Sequence, residues 1–118
     1  MPNTITVYEK PTCTTCRNMS LLLKENGIEF DKVNYFNEPF TVESLGKLLE
    51  KAKLKPFEVL RHREPLVKEL GLSENTPDDK IMKAIVDNPA ILQRPIVEYG
   101  DKAVLARPIE KVKELLKL

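Results

Sequence analysis

Near its start the chain switches hydrophobic period, and no other feature restricts its fold as strongly. Thr4-Ile5-Thr6-Val7-Tyr8 alternates polar and apolar residues and is rich in β-branched side chains, so a strand is expected there. Pro11-Thr12 breaks it. From about Cys13 to Asn26, the apolar residues Cys16, Met19, Leu22 and Leu23 recur at helical spacing. Asn26-Gly27 then supplies a stop, because glycine accepts the left-handed conformation that closes helices. A second strand is expected at about Ile28 to Tyr35, with a bend where the alternation slips between Phe30 and Val33.

The middle of the chain reads as helical. Leu45, Leu48, Leu49 and Ala52 form one apolar stripe after an N-cap at Thr41. A shorter piece from Glu64-Pro65 to Leu70 stops at Gly71. Thr76-Pro77-Asp78-Asp79 combines an N-cap, a proline at the first helical position and acids in the first turn, and Pro89 ends the helix that follows. Ile96 to Tyr99 and Lys102 to Ala106 flank Gly100-Asp101, a two-residue loop with glycine first, as a type II′ hairpin prefers. Pro108 opens a last helix with Ile109, Val112, Leu115 and Leu116 facing the core. The order βαβ, helices, ββα around a small mixed sheet is a thioredoxin-like α/β arrangement with a helical insertion at about residues 41–90. Such a fold sets the first strand inside the sheet and the cysteine-bearing helix end at its carboxyl edge, where open α/β sheets bind ligands. At 118 residues the chain buries roughly two-thirds of its unfolded surface, enough for a core without disulfides or a structural metal. With no repeat or linker in it, residues 1–118 read as one domain.

Nineteen Lys+Arg against 18 Asp+Glu leave a net charge of +1, too weak a field to argue for direct nucleic-acid binding. The N-terminus lacks the basic and apolar regions of a signal peptide, and no apolar run approaches a membrane span. A soluble, cytoplasmic protein is therefore expected. In that reducing compartment two closely spaced cysteines point to redox or metal chemistry more than to a static crosslink.

Cys13-Thr14-Thr15-Cys16 places two thiols at i and i+3 on one helical face, close enough to form a disulfide. Cys13 is the better nucleophile, since unpaired N–H groups and the positive end of the helix dipole favour thiolate, and Arg17 adds positive charge nearby. Cys16 lies deeper and is suited to resolve. Three alternatives stand beside this reading. A zinc site would have only these thiols and His62 to draw on within the chain, so no metal centre is expected. Both thiols are inert core residues in the second alternative. In the third, Cys16 fills the core while Cys13 works with an external thiol.

Arginines form a second constellation. Arg61, Arg94 and Arg107 sit beside apolar or proline-rich segments, and the last two, in Arg94-Pro95 and Arg107-Pro108, flank the hairpin. Guanidinium groups bind tetrahedral oxyanions bidentately and stay charged when partly buried, so several gathered at a thiolate would make an oxyanion-reducing pocket. His62 reads as an exposed loop or helix-end residue, and Glu9 as a loop-solvating acid more than an acid/base.

The stretch from Ile5 through Cys13-Thr14-Thr15-Cys16-Arg17-Asn18 resembles the active-site loop of the glutaredoxin-coupled arsenate reductase (ArsC) family. Leu60-Arg61 with Glu64-Pro65 and Glu69-Leu70-Gly71-Leu72, Asn88-Pro89 with Gln93-Arg94-Pro95-Ile96-Val97, and Ala106-Arg107-Pro108 agree in order and spacing. The resemblance implies a thioredoxin-like fold, Cys13 as nucleophile toward arsenate, and an oxyanion site of Arg61, Arg94 and Arg107. It also implies a cis Arg94-Pro95 bond near Cys13, with glutathione and glutaredoxin or thioredoxin as external reductants and no bound cofactor. In the best-known members histidine stands at Glu9 and serine at Cys16, and Cys16 here allows an internal disulfide. The related Spx regulators share the fold and a Cys-x-x-Cys and bind RNA polymerase, which makes a redox-switched regulator the alternative. Arg107-Pro108 argues for the reductase branch, because the regulators lack that motif. A redox-inert interaction module is the third class.

Overall fold

The computed structural model describes residues 5–10 and 13–116; Thr4, at the start of the expected first strand, and the Pro11-Thr12 break lie outside them. Contacts divide the chain into two compact units, one made of the segments up to Glu38 and from Arg94 onward, the other of Pro39–Gln93.

The first unit contains β1 (Ile5–Glu9), α1 (Thr14–Glu25), β2 (Asp31–Asn34), β3 (Ile96–Tyr99), β4 (Lys102–Leu105), a 3₁₀ turn at Ile109–Lys111 and α5 (Val112–Leu116). Its sheet has the order β2-β1-β3-β4. β1 runs parallel to β2 and antiparallel to β3, and β3 pairs antiparallel with β4, which is the thioredoxin-like mixed sheet. Strand side chains alternate between faces, so the register aligning Val7 with Val97 and Val97 with Val104 makes one apolar row. Met19 and Leu23 of α1 and Val112 of α5 cover it. Leu23 is fully buried in this cluster, so Leu23→Ala should cost about 2–5 kcal/mol in urea unfolding, the range for truncating a core leucine.

Two expectations for this unit are corrected in detail, and the expected hairpin turn is present. The second strand is shorter than Ile28 to Tyr35, because the Ile28 N–H donates to the Leu23 carbonyl at 2.9 Å and so closes α1 instead of entering the sheet. The last helix begins as a 3₁₀ turn, and Val112 alone of its four apolar residues is fully buried. Gly100 has φ 64° between β3 and β4, the left-handed start that a type II′ turn requires.

The second unit is helical: α2 (Val42–Ala52), a 3₁₀ turn at Pro56–Val59, α3 (Pro65–Glu69), α4 (Asp78–Asp87) and a 3₁₀ turn at Pro89–Ile91. Thr41 caps α2 reciprocally with Ser44, its Oγ1 accepting from the Ser44 N–H at 3.0 Å while Ser44 Oγ accepts from the Thr41 N–H at 2.9 Å. α2 packs on α4, burying Leu45, Leu48 and Leu49 in one helix and Ile81, Met82 and Ile85 in the other. Thr76 does not cap α4. Its Oγ1 accepts from the Ser73 N–H at 2.9 Å, and Pro77 takes the N-cap position. No helix among the described residues is long and apolar enough to cross a membrane.

Candidate active site

β1 delivers the chain to the carboxyl edge of the sheet, and α1 starts there with Cys13 as its N-cap, φ −81° and ψ 125°. The Cys13 carbonyl accepts the first helical bond, from the Arg17 N–H at 3.0 Å, and its own N–H donates to the Lys10 carbonyl at 2.9 Å. A residue so placed keeps its side chain beside the orphan N–H groups of the first turn.

Both cysteines are free thiols, Cys13 half-buried and Cys16 fully buried. Their acidities diverge. Burial pushes the Cys13 thiol up, but hydrogen bonds from the Cys16 N–H and thiol, and the hydrogen bond and charge of Arg94, outweigh it and hold Cys13 below the usual thiol value. Cys16 is pushed up to about 12, first by burial and then by the thiolate character of Cys13 and the charge of Glu9, against a backbone hydrogen bond from Lys10 that lowers it. One thiol is thus primed to ionise and its neighbour to stay protonated and donate.

Arg94 lies one residue, Pro95, ahead of β3 and is 7% exposed, although arginine is seldom buried without a partner. Beyond its bond to the Cys13 sulfur, its Nε and Nη1 have no hydrogen-bond partner among the described residues. Buried donors of this kind are costly when unmade, at about 1–3 kcal/mol each, which marks them as donors reserved for a ligand. Arg107 is exposed and donates from Nη1 to the Arg94 carbonyl at 2.9 Å. Arg94-Pro95 is cis, as the resemblance implied, and Arg107-Pro108 is cis as well. The Pro95 carbonyl accepts from the Ala106 N–H at 3.0 Å, tying together the two segments that carry these arginines.

The first unit therefore brings Cys13, Cys16, Arg94, Pro95 and Arg107 together. Arg17 is exposed, and the positive charge acting on Cys13 comes from Arg94 instead. Arg61 belongs to the helical unit, where its N–H donates to the Ile91 carbonyl at 2.7 Å and its guanidinium lies 3.8 Å from Glu64. His62 is exposed with its ring 4.8 Å from that of Phe57. Among the described residues, no three His, Cys, Asp or Glu side chains are grouped to hold a metal ion.

Glu9 is the residue that sequence reasoning misplaced. It does not solvate the loop: it is 5% exposed on the core face of β1, and burial raises its carboxyl above the usual range despite an opposing pull from Lys32. The signal was present in the period of two, since Ile5, Val7 and Glu9 must share a face.

Comparison with known proteins follows the same lines. The ArsC family model matches residues 8–115. An arsenate reductase of Neisseria meningitidis serogroup A is 35% identical over 114 residues, covering 95% of this chain and 97% of that protein. The solved arsenate reductase from Vibrio cholerae superposes with a TM-score of 0.90 at 30% identity, covering 97% of this chain and 98% of its own. A global transcriptional regulator, Spx 1 of Bacillus cereus, is 35% identical over 94 residues, which is 79% of this chain and 72% of the regulator.

Proposed function

The chain belongs to the ArsC family, and from that premise we propose that it is a thiol-dependent reductase of arsenate with Cys13 as its nucleophile. The observation that carries the proposal is Arg94, a buried guanidinium with two unpaired donors held against a thiol of lowered pKa. A tetrahedral dianion satisfies those donors and arrives beside the sulfur that is to attack it. Arg107, hydrogen-bonded to the Arg94 backbone, adds a second guanidinium at the edge of the site. Arg61 is assigned to the same anion by the sequence resemblance.

Cys13 thiolate attacks arsenic(V), one arsenate oxygen leaves as water after taking up protons, and a sulfur–arsenic bond results. A second thiol then attacks the Cys13 sulfur. The new S–S bond forms as the S–As pair withdraws onto arsenic, which leaves as arsenite; two thiols have supplied the two electrons. In this reading Cys16, one helical turn from Cys13, is that second thiol. Glutathione with glutaredoxin, or thioredoxin, then returns the pair to dithiol.

The test is a coupled assay of the purified protein with arsenate, glutathione and glutaredoxin, and in parallel with thioredoxin and its reductase. In at least one arm arsenite should accumulate at one per two glutathiones oxidised, or one per thioredoxin dithiol oxidised. Absence of arsenite in both arms sinks the assignment. The regulator reading is supported by family likeness to Spx 1 and would instead be met by RNA polymerase retained on oxidised protein.

A further inference from the structure

Resting on the reading of Cys13 and Cys16 as a reacting thiol pair, we propose that Glu9 is the proton acceptor that frees Cys16 to resolve a bond made at Cys13. Val7 packs against Met19 and Leu23 on the covered face of the sheet. Toward the carboxyl edge, two residues along β1, or about 7 Å, lead from Val7 to Glu9 on that face. The helix runs back over the strand, so one turn toward its N-terminus, about 5 Å, leads from Met19 to Cys16. Glu9 and Cys16 thus occupy one layer. Both are buried, at 5% and 0% exposure, and the residue after Glu9 gives Cys16 its backbone hydrogen bond.

Other ionisable groups leave Glu9 this task. Lys32 of β2 shares its sheet face and pulls on its charge, and Asn34 pairs beside it in register. Arg94 and the α1 N-terminus act on Cys13, and Arg107 is engaged with the Arg94 backbone. Glu98 of β3 takes the Tyr8 hydroxyl at 2.8 Å, on the opposite face of β1. Burial before all else holds the Cys16 thiol above the usual thiol value, so its ionisation is helped by a base at hand.

In the step proposed, the Cys16 thiol gives its proton to the Glu9 carboxylate. The thiolate attacks the Cys13 sulfur of a mixed disulfide, Cys13–S–S–R, forming the Cys13–Cys16 bond. The S–R sulfur departs as R–S⁻ and the proton on Glu9 returns to it or to solvent. One disulfide replaces another, so no outside oxidant is required.

Thionitrobenzoate disulfide reagent reads both thiols in one stopped-flow trace. The first thionitrobenzoate released reports attack by Cys13; the second reports its displacement by Cys16. In wild type the second phase should rise through a carboxyl titration and then level. Glu9→Gln should slow it by about a hundredfold at neutral pH, the lower end of what general bases contribute, while the first phase is unchanged. The sign is diagnostic, because a Glu9 that acted only as a nearby negative charge would hinder Cys16 ionisation, and removing it would speed the second phase. A second phase in Glu9→Gln as fast as wild type, or faster, overturns the proposal. Should the variant not fold, a wild-type second phase that climbs tenfold per pH unit with no carboxyl inflection overturns it equally. The assay contains no arsenate, so failure of the arsenate assignment would leave its outcome intact.

Discussion

Cys13→Ser should abolish arsenate-dependent thiol oxidation, a loss on the order of 10⁶-fold, the scale on which removal of an enzyme nucleophile acts. A serine hydroxyl at that helix N-terminus is too weak an acid to ionise at neutral pH and cannot form a sulfur–arsenic bond. The fold should not register the change. A serine Oγ at the N-cap can accept the Cys16 N–H that the Cys13 sulfur accepts, and the backbone bonds of residue 13 to Lys10 and Arg17 survive substitution. Urea unfolding of Cys13→Ser and wild type should therefore coincide near neutral pH while arsenite production separates them completely. Cys16→Ser discriminates further: if Cys16 resolves, turnover in that variant comes to depend on external thiol attacking Cys13. Residual arsenite formation by Cys13→Ser above the rate without protein would move the chemistry to another residue.

Much of the framework was legible because local chemistry and tertiary demand agree along most of the chain. Gly100-Asp101 specifies its turn and the flanking residues pair across it; Thr41 caps where an apolar stripe begins. Legibility fails where one group has two uses. Ile28 and Phe30 look like strand residues, yet they pack against the core of the first unit, and the Ile28 N–H is spent on the end of α1. Thr76 has the side chain of an N-cap, but the Ser73 N–H claims it first.

At the site, spacing singled out the two cysteines, and apolar and proline-rich context together with motif resemblance singled out the three arginines. Neither could rank the arginines. Rank depends on desolvation, and a string of residues does not show that Arg94 is buried with donors unpaired while Arg107 stays in solvent. Glu9 failed for the opposite reason: its charge suggested solvent, although the alternation of β1 had already assigned it to the core face. A buried charge against a strong sequence pattern is what function leaves behind when it overrides local preference.

Arg94→Leu carries the largest expected effect after the nucleophile itself. Removing a preorganised donor set from the charge that builds on the anion should lower the arsenate rate by roughly 10²–10³-fold. Cys13 should change with it. The hydrogen bond and charge of Arg94 help hold its thiol low, so the pH midpoint of Cys13 alkylation should move up in the variant. A group with a depressed folded pKa adds stability as pH rises from its folded toward its ordinary value, so that rise should flatten too. Stability should otherwise hold or improve, because leucine replaces a buried cation with two unmade hydrogen bonds. Sulfate or arsenate should raise the melting temperature of wild type by mass action and leave Arg94→Leu unmoved. A general loss of structure would give the reverse order, with stability falling and the anion response persisting in whatever remained folded. If the variant keeps both its rate and its anion response, Arg94 is a structural cation, and the donors that hold the substrate must be sought elsewhere.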